Sequence, residues 1–281
     1  MAFEHEKRHS SGFESDQPPE RGRNSPPHTS ASETDRRRRS SERTFHNAIA
    51  IPQHARGTAR YYSVLGSSDR RFESLLRSRC LGMALEYGCG QGGWTLSFSE
   101  AIPKIVGFDI SDKAIERARH RATIKGVRNV EFTVGDGENL GFASASFDTV
   151  YGVAILHHLD LPSALREIAR VLKPNGVAVF YEPLGHNPAI NLYRKLTPDI
   201  RTPDEHPLRL PDFRLAQKYF GHVNWEPFCL MTAAAVLLRK TPWFERAVRL
   251  LDRLDRTIFH VAFTRRFAWT SVITLSAPRP A

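Results

Sequence analysis

Residues 85–93 read Leu85-Glu86-Tyr87-Gly88-Cys89-Gly90-Gln91-Gly92-Gly93. The apolar run Met83–Tyr87 leads into them as a first strand, and a helix is expected from Trp94 to Ala101. Glycines between a strand and a helix let the backbone approach a ligand closely, and the helix N-terminus favours a carboxylate. Gly88, Gly90 and Gly93 also satisfy the G-x-G-x-x-G dinucleotide spacing. Asp109 follows about 20 residues later, where an acid ending the second strand takes ribose hydroxyls. The stretch by itself therefore suits more than one adenosine cofactor.

Outward from this turn the pattern alternates. Ile105–Phe108, Val130–Val134, Phe147–Ile155 and Val177–Tyr181 read as strands two to five. Ser111 is an N-cap for a helix ending at Lys125-Gly126, and Pro162 opens another that stops at Lys173-Pro174-Asn175-Gly176. This alternation predicts an α/β fold, Rossmann-like, with a seven-stranded, mostly parallel sheet and helices on both faces. Ligands in such sheets bind at the carboxyl ends of the strands. Val223–Leu230 and Phe267–Leu275 are the expected sixth and seventh strands, and Asp212–Phe220 a helix stopped by Gly221.

The chain has 281 residues and a formal net charge of +10. Residues 1–45 are poor in large apolar side chains and include the run Arg36-Arg37-Arg38-Arg39, so a disordered tail is expected, followed by one domain over 46–281. That tail is nearly neutral. The basic excess lies in 239–266, with eight Lys/Arg against three Asp/Glu, and in 46–82, with six against two. Solvated helix faces, an acidic substrate or an anionic membrane surface account for it, and no nucleic-acid recognition motif is found. Cys80, Cys89 and Cys229 are odd in number and lack metal or disulfide spacing. With no apolar segment of signal-peptide type at the N-terminus, a cytoplasmic protein is expected.

Five further matches in order separate the cofactors. Glu86-Tyr87-Gly88-Cys89-Gly90-Gln91-Gly92 precedes Asp109, then Gly135-Asp136-Gly137-Glu138-Asn139-Leu140, Ser146-Phe147-Asp148, Leu156-His157-His158-Leu159 and Leu172-Lys173-Pro174-Asn175-Gly176. Together they resemble the class I S-adenosylmethionine (SAM)-dependent methyltransferases, in the type 11 branch that includes the ubiquinone and menaquinone C-methyltransferases. The resemblance covers roughly residues 81–182. It implies that Glu86 and the backbone of Gly88, Cys89, Gly90 and Gly92 surround the methionine part of SAM. It places Asp109 on the ribose hydroxyls, Ile110 beside the adenine, and Asp136 and Gly137 at the adenine edge.

The acceptor side is less constrained. His157 and His158 follow strand four near the cofactor mouth, where a histidine could deprotonate a nucleophile or simply form the wall. Metal ligation by the pair is not expected, because no other ligands stand at suitable spacing. The proline-rich stretch 185–211, which holds one short helix started by Asn187-Pro188 and carries Arg201, Asp204 and His206, is the expected substrate cap, and Tyr61 and Tyr62 precede strand one where an N-terminal helix would close the site. Phe244, Ala247, Val248, Leu251, Leu254 and Ile258 recur at helical spacing with Arg246, Arg249, Arg253 and Arg256 between them. Such a helix either covers the sheet or lies against a membrane as a peripheral contact. The expected function is methyl transfer from SAM to a small-molecule or lipid-like acceptor. An NAD-dependent oxidoreductase using the same glycines and a noncatalytic SAM-fold interaction protein are the alternatives.

Overall fold

Short runs of β-branched and aromatic residues become the strands, and the polar segments between them become the covering helices. The computed structural model describes residues 33–49, 63–80, 82–197 and 205–279. In chain order the helices α1 (Glu33–Ile49) and α2 (Gly66–Arg79) precede β1 (Met83–Tyr87), α3 (Gly93–Phe98), β2 (Lys104–Asp109), α4 (Asp112–Lys125) and β3 (Val130–Val134). Next come β4 (Phe147–Val153), α5 (Leu161–Val171), β5 (Leu172–Pro183), α6 (Pro188–Leu196) and α7 (Leu210–Ala216). The chain continues through β6 (Phe220–Phe228), α8 (Phe244–Ile258), α9 (Ala262–Arg265) and β7 (Thr270–Pro278).

The seven strands form one sheet in the order β3-β2-β1-β4-β5-β7-β6. β1 pairs in parallel with β2 and with β4, and β4 with β5. β7 runs antiparallel between β5 and β6. That inserted strand departs from the 3-2-1-4-5-6 order of dinucleotide-binding folds. Val150, Tyr151, Ala178, Val179 and Phe180 are fully buried, as expected for central strands covered on both faces. One face packs on α5 and α7 through Leu165, Ile168 and Phe213. The other packs on α2 through Phe72, Leu75 and Leu76, and on α8 through Phe244, Ala247, Val248 and Leu251.

Several expectations are corrected. Glu33–Ile49 is helical, so the last part of the expected tail is structured, while residues 1–32 lie outside the described residues. α7 spans Leu210–Ala216, and Phe220 and Gly221 already belong to β6. β4 stops at Val153 because Ala154 takes a positive φ of 53°. The Lys173–Gly176 turn is drawn into β5, with the Lys173 ammonium 2.9 Å from both carboxylate oxygens of Asp148. Other local signals agree closely. Ser111 caps α4 by accepting from the Ala114 N–H, Gly126 closes it at φ 66°, and Asn187 caps α6 through the N–H groups of Ala189 and Ile190.

Phe244, Ala247, Val248 and Leu251 of the α8 stripe face the protein, whereas Leu254 is 43% exposed. Asp255 lies inside, 2% exposed, and accepts from the N–H groups of Leu230, Met231 and Thr232 and from the Thr232 hydroxyl. One carboxylate thereby fixes α8 to the turn after β6. Asp255→Ala leaves three N–H donors without their acceptor, that of Thr232 buried, and is expected to lower the unfolding free energy by about 3 kcal/mol. Urea unfolding followed by circular dichroism measures this, and an unchanged midpoint would contradict it.

Candidate active site

β1 delivers the chain into the glycine turn with Tyr87 buried beneath it. Gly88 takes φ +67°, and a Cβ there would stand 2.6 Å from Ile155 Cδ1. Gly92, at φ +72°, would meet the Phe132 ring at 2.8 Å. Both conformation and space therefore demand glycine at these two positions. By contrast, a Cβ on Gly90 would meet nothing within 4 Å, because Gly90 faces open space.

Asp109, at the end of β2, holds this turn. Its Oδ2 accepts from the Gly90 N–H at 2.8 Å and its Oδ1 from the Ser111 N–H at 2.8 Å. Each oxygen keeps a second lone pair for a ligand hydroxyl. A cavity of about 220 Å³ opens at the carboxyl ends of β1, β2 and β4 and the loops that follow β3 and β4. Gly88, Gly90, Asp109, Ile110, Asp136, Gly137 and His158 line it, as do Phe108, Glu138, Val153 to Ile155 and Leu159.

Four of the expected site residues stand behind this wall. Glu86 is 3% exposed, and its carboxylate accepts from the hydroxyls of Thr95 and, at 3.1 Å, Tyr151. The Cys89 thiol lies against Gly107, where burial pushes its pKa well up. Gly92 is the left-handed N-cap of α3. His157 is turned inward, its Nδ1 2.8 Å from Glu182 Oε2. Glu182 is wholly buried at the end of β5, and its other oxygen accepts from the N–H groups of Ile155 and Leu156. Glu182 thus locks the short 3-10 turn Leu156–His158.

Among the acceptor-side residues, Tyr61, Tyr62, Arg201 and Asp204 lie outside the described residues. His206 is exposed, donates its N–H to the His157 carbonyl at 2.7 Å and stands 3.5 Å from Asp212. The described residues of 185–211 do not line the cavity; they stitch onto the end of β5 through the Leu184–Leu208 bridge.

The cavity's cover is α1, which contributes Arg38, Arg39, Glu42 and His46 to the lining. Arg38 meets Glu138 at 2.5 Å, and Arg39 reaches Asp136 at 2.7 Å and Glu138 at 3.0 Å. Farther along, the Asn47 amide donates to Asp112 and its carbonyl accepts from the Ser111 hydroxyl. None of these α1 residues was expected at the site. The one sequence signal was an unassigned Glu138 inside the Gly135–Leu140 segment, an acid that needs a partner once buried.

Comparison with known proteins agrees with this fold. Residues 85–180 match the family model described as "Methyltransferase domain". The chain is 30% identical over 177 residues to the aklanonic acid methyltransferase DauC of Streptomyces sp. (strain C5), covering 61% of this chain and 71% of the relative. It is 34% identical over 115 residues to the demethylmenaquinone methyltransferase of Lactococcus lactis, covering 40% of this chain but only 45% of the relative. Phosphoethanolamine N-methyltransferase 2 of Haemonchus contortus, solved with S-adenosyl-L-methionine, shares the fold with a TM-score of 0.56 at 17% identity, over 83% of this chain and 60% of that one. The chain belongs to the class I SAM-dependent methyltransferases, in the type 11 branch. The cavity fits the cofactor of that family: Gly90 leaves open space and the Asp109 carboxylate faces it.

Burial in particular pushes the Glu86 carboxyl up from 4.5 to about 7, against the hydrogen bonds from Thr95 and Tyr151 that favour its charged form. The folded protein therefore holds a proton that the unfolded chain has released. Stability from this group is full below about pH 4.5 and is lost as pH rises through about 7. Glu86→Gln should flatten that decline, which a series of melting curves between pH 5 and 8 would show. An unchanged slope would remove Glu86 as its source.

Proposed function

We propose that the protein transfers the methyl group of SAM to a small-molecule, lipid-like acceptor. The observation that carries the reading is the Asp109 carboxylate, bonded to the glycine turn and facing the cavity. In this reading the backbone of Gly88 and Gly90 faces the methionine part of SAM and Asp109 takes the ribose hydroxyls. Ile110 flanks the adenine, and Asp136 and Gly137 lie at its edge. Because Arg39 already engages Asp136, α1 forms the outer wall of the adenine pocket. The cofactor supplies the reactive sulfonium methyl. The protein's own part is placement, worth about 7–11 kcal/mol when both reactants are aligned, and shielding from water by α1. His158 lines the acceptor end, and His157, held by Glu182, positions the turn that carries it.

The lipid-like acceptor is supported by the activity named for the L. lactis relative and by an exposed surface next to α8. With Phe244, Ala247, Val248 and Leu251 turned inward, the outward apolar groups include Leu237 at 86% exposure, Trp243, Leu250, Leu254, Val261 and Phe263. Arg246 stands over Trp243 at 5.3 Å and Arg266 over Phe263 at 3.9 Å. Aromatic, aliphatic and cationic groups mixed in this way suit the surface of an anionic bilayer. Among the described residues, no helix is long and apolar enough to cross a membrane.

Two measurements test these readings. Isothermal titration should show S-adenosylhomocysteine binding, weakened about 10- to 100-fold in Asp109→Ala, as expected when hydrogen bonds to a charged acceptor are lost. Wild-type affinity in that variant would remove Asp109 from the site. Cosedimentation should show binding to anionic vesicles, little binding to neutral ones, and a loss of binding as salt is raised. Equal, negligible binding to both vesicles would sink the membrane contact and leave a soluble acceptor.

A further inference from the structure

The wall of the cavity where α1 crosses the turn after β4 carries a second chemistry. Glu42 and His46 lie one turn apart on α1 and share its inward face. His158 rises to meet them from the 3-10 turn that Glu182 locks. His46 Nε2 is 3.2 Å and His158 Nδ1 is 3.4 Å from Glu42 Oε2, and ligand atoms of all three residues lie within 4.8 Å of one another. Glu42 itself is 4% exposed. Charge-assisted N–H···O bonds run about 2.7–2.9 Å, so these separations are long for imidazolium–carboxylate pairs. They also match the edges of a coordination shell. Ligands on a tetrahedral ion with bonds of about 2.0–2.1 Å stand roughly 3.3–3.4 Å apart.

We infer that Glu42, His46 and His158 form a binding site for a divalent transition metal ion of the zinc class. Two imidazoles and one carboxylate are a donor set that zinc accepts, and three protein ligands leave a fourth position open. All three residues line the cavity, so the open position faces it. An oxygen of the acceptor is the ligand suited to that position, where the ion would orient and polarise it. This last step rests on the cavity being the methyl-transfer site; metal binding itself does not. A second group, His157, His158 and Glu205, shares His158. It is the weaker candidate, because Glu182 already holds the His157 ring and Glu205 is only half-buried.

The test is titration of zinc into the metal-stripped full chain, without cofactor or acceptor, repeated with cobalt(II) to read coordination from its visible absorption. One zinc ion per chain is expected. Glu42→Gln and His46→Asn should each weaken it by more than the roughly 10- to 100-fold that loss of an outer-shell partner costs, with the circular dichroism spectrum unchanged. Glu205→Gln should bind as the wild type does. Three results would each overturn the assignment: no zinc bound by the wild type, undiminished binding in both α1 variants, or loss of binding in Glu205→Gln instead. Because S-adenosylhomocysteine binding is read separately, failure of the metal site leaves the cofactor reading standing.

Discussion

The site depends on one carboxylate. Asp109 ends β2, yet it accepts from the Gly90 N–H beyond β1 and from the Ser111 N–H at the start of α4. Adjacent parallel strands bring these loops side by side, and Asp109 ties them together. Without it, the glycine turn, with positive φ at Gly88, Gly90 and Gly92, and the N-terminal cap of α4 would lose this shared anchor. With it, the glycine turn presents open backbone to the cavity, and the acid that holds the turn keeps lone pairs for a ligand. Glu86 and Tyr151 play a matching part beneath the turn, where Thr95 of α3 completes the contact.

A second tier of buried acids arranges the rest. Glu182 fixes the 3-10 turn after β4, and Glu138 accepts from both Arg38 and the Asp160 N–H while standing at the cavity edge. Buried carboxylates of this kind are costly unless every oxygen has a donor. Here the donors come from loops and from α1, so satisfying the acids draws the cover onto the site. The same logic places Asp255 under the turn after β6, far from the glycines.

Much of this was legible in the sequence, and the limits have physical causes. Strand centres, the Ser111 and Asn187 caps and the Gly126 stop are local signals, and they agree with the structure to within a few residues. The antiparallel insertion of β7 between β5 and β6 is a nonlocal pairing that no periodicity encodes. The helix α1 escaped because four consecutive arginines look like a solvated tail. The partners of Arg38 and Arg39, Glu138 and Asp136, lie about 100 residues away, as the Arg38–Glu138 pair shows. For the same reason the convergence of Glu42 and His46 on His158 could not be read from spacing. The stripe on α8 was read correctly as a helix, but helical spacing alone does not say which side of it meets water or protein.

The central claim is that a nucleoside cofactor lies under α1 with its ribose on Asp109. A crystal structure of the full chain with S-adenosylhomocysteine tests it most directly. The account predicts density in the cavity between the glycine turn and α1, with ribose hydroxyls within hydrogen-bond distance of the Asp109 carboxylate and the adenine beside Ile110. Density at another edge of the sheet, or a ribose held away from Asp109, would contradict it.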